Sequence, residues 1–233
     1  MRSLTSFALF CALSAAACAG TPTPPASGDA TAEAPPTAEA PEINLVGNRF
    51  RPLSYDEMTD AQKTMVNNIL AGPRRGGLGG PFNVMLRSPE MGDLAQEFGA
   101  HVRFNASIPA SIREMAIIMT ARHWTAHYEW YAHKNAALAA GLNPAIVEAI
   151  AAGRRPEGMS ADEEVLYDFC RELLEDHRVS DETFEAAVET FGERGVVDVV
   201  GTVGYYGLVS MLLNVDEYPL PDGAEPELEP LAE

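Results

Sequence analysis

Cysteine is nearly absent from this chain, and its three copies are placed so that they cannot work together. Cys11 and Cys18 lie in the first eighteen residues, and Cys170 stands alone in the rest. Once a leader is removed, the body holds one thiol. An internal disulfide is then excluded, and so is dithiol chemistry by the domain on its own. Positive charge is also scarce, with 16 Lys and Arg against 34 Asp and Glu and a net charge of −18. Such a chain repels phosphate backbones, which argues against nucleic acid as a partner. The imbalance is sharpest in residues 216–233, where seven acids meet no base. That stretch is Pro-rich and poor in large apolar side chains, so residues 221–233 read as a solvated, mobile acidic tail. Alternating apolar and polar residues are missing too, and no sheet is expected.

What is present begins with a leader. Arg2 precedes a small-and-apolar run from Leu4 to Ala17, about the length of a secretory core and too short to span a membrane as a mature helix. Ala15-Ala16-Ala17-Cys18 has two readings. One is a bacterial lipobox, with Cys18 acylated and the protein held by lipid at the periplasmic face of a membrane. The other is a plain secretory signal cut at Ala-x-Ala. Residues 19–45 read as a linker, because 21–42 holds six prolines and no large apolar side chain and serves as a tether.

From Ser54 onward the pattern is helical. Helices are expected over Tyr55–Leu70, near Pro89–Phe104 and over Ser107–His123, where Ile112, Met115, Ala116 and Met119 recur at helical spacing. The loop 72–82, with five glycines and two prolines, excludes regular structure. Thr125 is positioned to cap a helix that stops at Gly141. Asn143-Pro144 starts a short helix closed by Gly153. Ser160 with Glu163 has capping-box spacing, and Ser180 caps a helix through Phe191. The last apolar run, 195–214, reads as a buried helix, since Asp198 would be costly in lipid. Gly201, Gly204 and Gly207 line a small-residue groove on it. The expectation is one all-α domain over roughly residues 46–220.

Three stretches carry a resemblance: IREMAIIMTARHWTAHYEWYAH at 112–133, AGL at 140–142 and GERGVVDVVGTVGYY at 192–206. With the run from GPF at 80–82 to NVDEYPLP at 214–221, they resemble the carboxymuconolactone decarboxylase family, an all-α fold shared with alkylhydroperoxidase D. A redox branch of that family uses a Glu, a Cys-x-x-Cys and a His. Laid on this sequence, the Glu falls on Glu114, the two cysteines on Ala126 and Glu129, and the His on His133. Both thiols are therefore missing, and the family's peroxidase chemistry has no nucleophile here. Cys170 does not replace them. It shares an apolar helix face with Leu166, Leu173 and Leu174, where a thiol is usually buried and inert.

Each candidate also has a plainer role. His133 and Glu129, one turn apart, can form an acid–base pair or an ordinary surface contact. Glu114, on an apolar strip, can pair with His133 or merely close a capping box with Ser111. His123 and His127 have metal-like spacing, but a helix break expected at Trp124-Thr125 separates them and no third ligand is placed, so no metal is assigned. Arg122 is a candidate clamp for a substrate carboxylate, with His123 beside it, or else an ion-pair partner of Glu114. Arg74 and Arg75 could close over an anionic ligand. Tyr128, with Trp124, Trp130 and Tyr131, could wall an apolar pocket, although Trp130 reads better as core.

The resemblance and these residues imply a cofactor-free acid–base lyase acting on a small anionic substrate, a carboxylated lactone or keto acid. His133, Glu129 and Glu114 would be catalytic, and Arg122, His123 and Tyr128 would bind substrate. The family also implies a homo-oligomer, a trimer or hexamer. The alternative is a non-catalytic oligomeric scaffold that binds ligands in the cell envelope. The environment of His133 separates the two: a catalytic histidine lies in a concave pocket with a shifted pKa.

Overall fold

The structure, a computed structural model, describes residues 40–74 and 77–230. Cys18, the leader and most of the linker lie outside the described residues. Helices account for all the regular structure among the described residues. They are α1 (Asp60–Ala71), α2 (Phe82–Met85), α3 (Pro89–Asn105), α4 (Ala110–His123), α5 (His127–Ala139), α6 (Pro144–Ala151), α7 (Ala161–Arg171) and α8 (Asp181–Asp216), with a 3-10 turn at Tyr55–Glu57 and a π-helical turn at Glu172–Asp176.

Local chemistry sets most of the boundaries. Asn143 Oδ1 accepts the Ala145 N–H at 3.0 Å, with Pro144 as the first residue of α6. Ser160 and Glu163 form the expected capping box, and Ser180 Oγ accepts the Thr183 N–H. Gly192, at φ 70, breaks α8 after Phe191, where the sequence places a helix end. Two boundaries shift. A single tight turn, Tyr55–Glu57, precedes α1, because Thr59 and Gln62 form a capping box of their own. Pro109 delays α4 to Ala110, which puts Ser111 inside the helix rather than at its cap.

Thr125 is not the cap of α5. It lies at φ 46, while the Thr125 N–H donates to Arg122 O at 3.0 Å and the Ala126 N–H to Ala121 O at 2.9 Å. That is the paired bonding of a Schellman helix end, with threonine where glycine is favoured. A β-branched residue in the left-handed region costs roughly 1–2 kcal/mol. The turn reverses the chain so that α5 runs back along α4.

Helix α4 is the centre of the bundle. Met115, Ala116, Ile117, Ile118 and Ala121 have no exposure, and α5, α6, α7 and α8 all pack on it. One apolar cluster gathers Trp130, Ile146, Leu166, Phe169 and Cys170, and the other gathers Met65, Phe82, Met85, Tyr205 and Leu213. Burying each large side chain contributes about 1.5–3 kcal/mol. Helix α8 is long and apolar enough to cross a membrane, but 56% of its apolar window is buried within the domain, as expected for a core helix. It still exposes Val197, at 69%, and Met211, and α3 exposes Leu94 and Phe98.

The ends of the domain differ from the sequence reading. The last residues assigned to the linker are packed: Leu45 is buried and Ile43 lies against the same core. The Asn48 and Phe50 N–H groups donate to the buried Asp216 carboxylate, which clasps this segment to the end of α8. The acidic tail is not wholly solvated either. Leu228 is 4% exposed within the core, the Trp130 indole N–H donates to Glu227 Oε2 at 3.2 Å, and Lys134 pairs with Glu227. Leu228 joins the apolar cluster, while Trp130 and Lys134 of α5 hold Glu227 and Arg122 of α4 holds the Glu229 carbonyl.

Candidate active site

The antiparallel α4 and α5 bring three ionisable groups together. Glu114 rises from the second turn of α4, and Glu129 and His133 share one face of α5. The His133 ring nitrogen Nδ1 lies 2.6 Å from Glu114 Oε2, and Nε2 lies 3.1 Å from Glu129 Oε1. All three residues are at most 5% exposed. Burial alone would lower the His133 pKa, but the Glu129 charge and the hydrogen bonds to Glu114 and Glu129 outweigh it and raise the group to about 9. His133 is therefore an imidazolium at neutral pH, and its Nδ1–H donates to Glu114. The capping role of Glu114 is ruled out, since its carboxylate turns to His133 and Ser111 is no cap. On its far side, Arg113 Nε approaches Glu114 Oε1 to 3.9 Å.

Glu129 is different. Its Oε1 is shut from solvent and accepts no straight hydrogen bond, although the imidazolium lies alongside. It faces a cleft of about 450 Å³ that His133 also lines. Tyr128, Tyr205, Tyr206, Phe82 and Phe104 form most of the wall, with Arg74 and Arg103. The Tyr206 ring packs edge-on to His133 at 4.8 Å. Tyr128 stacks at 4.4 Å on Tyr218, and burial, with its tyrosine neighbour, pushes its hydroxyl up to about 12. Tyr205 can stand in the wall only because residue 99 is glycine: a Cβ there would enter its ring.

No protein-family model matches this sequence. No curated protein matches it either.

The residues expected from sequence fall into two groups. Glu129, His133 and Tyr128 line the cleft, and Glu114 backs His133 from behind it. Arg122 and His123 do not. They line a separate pocket of about 80 Å³ with Arg154, Tyr167 and Arg171. Arg122 is 5% exposed. It donates from Nη2 to Glu229 O at 2.7 Å and from Nη1 to Thr125 Oγ1 at 3.4 Å, leaving only Nε unpartnered. It is a strut between α4 and the C-terminal segment, neither a clamp at the cleft nor a partner of Glu114. Burial lowers the His123 pKa. His127 lines a third depression beside Tyr128 and Tyr218. Trp130 is core, as expected. Cys170 is fully buried, and burial pushes its thiol up to about 12, which makes it a poor nucleophile.

Of the two cations in the cleft, Arg74 is marked in the sequence by its glycine loop. Arg103 gave no local signal, as one of several charged residues on an amphipathic helix. The Tyr205-Tyr206 pair after GTVG was a signal, and it read equally well as core.

Proposed function

We propose that the chain is a carboxymuconolactone decarboxylase-like, cofactor-free acid–base lyase, acting on a small carboxylated lactone or keto acid. The observation that carries this reading is the Glu114–His133–Glu129 cluster, of which His133 and Glu129 line the cleft. Arg74 or Arg103 would hold the substrate anion, taking the part that the sequence suggested for Arg122. Loss of carbon dioxide leaves an enolate delocalised into the neighbouring carbonyl. The His133 imidazolium then delivers a proton to the carbon and regains one from water, so one carboxylate and one proton become one C–H bond and one carbon dioxide. Glu114 fixes the ring at Nδ1, and Glu129 stabilises the charged form beside the cleft. Two buried carboxylates around one histidine support an acid that stays charged through neutral pH.

The alkylhydroperoxidase D-like fold, export and lipidation at Cys18 belong to the same proposal, as does assembly into a trimer or hexamer. The exposed apolar side chains on α3 and α8 support assembly. The non-catalytic scaffold keeps that surface but gives no reason for an ionised triad at a cleft. The test is carbon dioxide release from a panel of β-keto acids and carboxylated lactones, read beside an NMR titration of His133. Release that is lost in His133→Gln, with His133 titrating near 9 in the parent, supports the lyase. A histidine that titrates near 6.5 and ignores Glu129→Gln sinks it.

A further inference from the structure

Two groups of opposite charge, the buried Glu129 and the half-buried Arg74, line the same cleft with bonding capacity unspent. Glu129 is 3% exposed, its Oε1 lies against the His133 imidazolium at 3.1 Å, and the carboxylate lines the cleft with no other partner among the described residues. Arg74 Nε is equally shut from water and donates to nothing described. The Arg74 guanidinium lies over the Phe82 ring at 5.0 Å and reaches the Tyr205 hydroxyl only at 3.5 Å, so its strongest donors are unspent. Arg103, resting on Phe104 at 5.7 Å, adds a second cation to the lining. Tyr205 lines the same cleft, with its hydroxyl beside Arg74. A buried polar atom without a partner destabilises the fold, more so when it is charged. Native structures keep such atoms where a ligand completes them.

We propose that the cleft selects an acid with a flat, unsaturated body that carries a hydroxyl as well as its carboxylate. The carboxylate pairs with Arg74, and the hydroxyl donates to Glu129. The walls between are aromatic faces and edges, which favour a planar body over a branched one. A carboxylate alone would satisfy Arg74 but bring a second negative charge toward Glu129 with no proton to share between them. A hydroxyl alone would leave the cation unmatched. A site that hydrogen-bonds a substrate hydroxyl rejects the analogue lacking it, because its own buried group is then left unpaired. This inference rests on the assignment of the cleft as the functional site, and not on turnover.

The test is calorimetric binding of inert probes to the full chain: the 2-, 3- and 4-hydroxyphenylacetates, phenylacetate, and the uncharged alcohol 2-(4-hydroxyphenyl)ethanol. A hydrogen bond to a charged group is worth about 1.5–3 kcal/mol, so the best hydroxy acid should bind about tenfold or more tighter than phenylacetate. That gap should close in Glu129→Leu and narrow in Glu129→Gln, while Arg74→Gln weakens both acids alike. The proposal is overturned if phenylacetate matches all three hydroxy acids in the parent protein, if the neutral alcohol binds as well as the acids, or if no probe binds. It is also overturned if the gap survives in a folded Glu129→Leu. The parent comparison needs no variant to fold. A protein that shows the gap yet releases no carbon dioxide from any keto acid keeps this inference and loses the lyase. Carbon dioxide release without the gap does the reverse.

Discussion

The two sides of the α4–α5 hairpin both carry buried charge, and they use it in opposite ways. On the cleft side, Glu114, His133 and Glu129 are paired with one another, and His133 and Glu129 still line a space of about 450 Å³. On the other side, both terminal nitrogens of Arg122 are committed to the protein, and the pocket has shrunk to about 80 Å³. Buried charge that is spent internally is architecture. Buried charge that is kept open, in a space large enough for a molecule, is a site. Residue type does not separate the two, since an arginine and a histidine stand on each side.

The comparison breaks most visibly if one member of the triad is removed. Glu114→Leu leaves the imidazolium with one partner and should cost about 3–5 kcal/mol in chemical denaturation. His133→Leu should leave two carboxylates facing each other and cost as much. Equal stability of either variant and the parent would mean that the three groups do not interact. On the opposite side, Arg122→Gln should destabilise while binding at the cleft stays within about twofold, whereas Arg74→Gln should do the reverse.

The pH dependence comes next. The folded pKa of His133, about 9, lies above the ordinary value of 6.5. Its contribution, on the order of 3 kcal/mol, is therefore complete below pH 6.5 and is lost as pH rises through 9. Denaturation midpoints followed from pH 6 to pH 10 should fall over that window in the parent and stay flatter in His133→Gln. If the lyase reading holds, the rate falls over the same range.

Leu228→Ala tests the spent side. Removing that buried side chain should cost about 2–3 kcal/mol and loosen the Arg122 contact. A neutral result would mean that the C-terminal segment is not docked in solution. The smallest effect concerns the turn between the two helices. Thr125→Gly removes a left-handed threonine and should raise stability by up to about 1 kcal/mol, leaving the His133 titration unchanged.

The legibility of these features in the sequence follows their range. Caps and breaks were readable because they are decided within four residues: Asn143-Pro144, Ser160-Glu163, Ser180 and Gly192 all act where the pattern put them. The pairing of Glu129 with His133 was readable as a one-turn spacing, and Glu114 was placed beside them by resemblance to a family pattern. The surroundings of Arg122 were not readable, since its main partner is the Glu229 carbonyl, 107 residues away. Arg103 reached the cleft through the packing of α3, which no local pattern encodes. The docking of Leu228 was hidden by composition, because an acidic, Pro-rich stretch looks solvated until the core that receives it is known.

The Asp216 clasp bears on the order in which the molecule assembles. It joins residues 166–168 positions apart in the chain. Closing so long a loop has a high entropic cost that only an already formed bundle can offset. The clasp is therefore a late event in folding, and its loss is an early one in unfolding. Its partner amides, Asn48 and Phe50, should exchange with solvent deuterium well before those of α4.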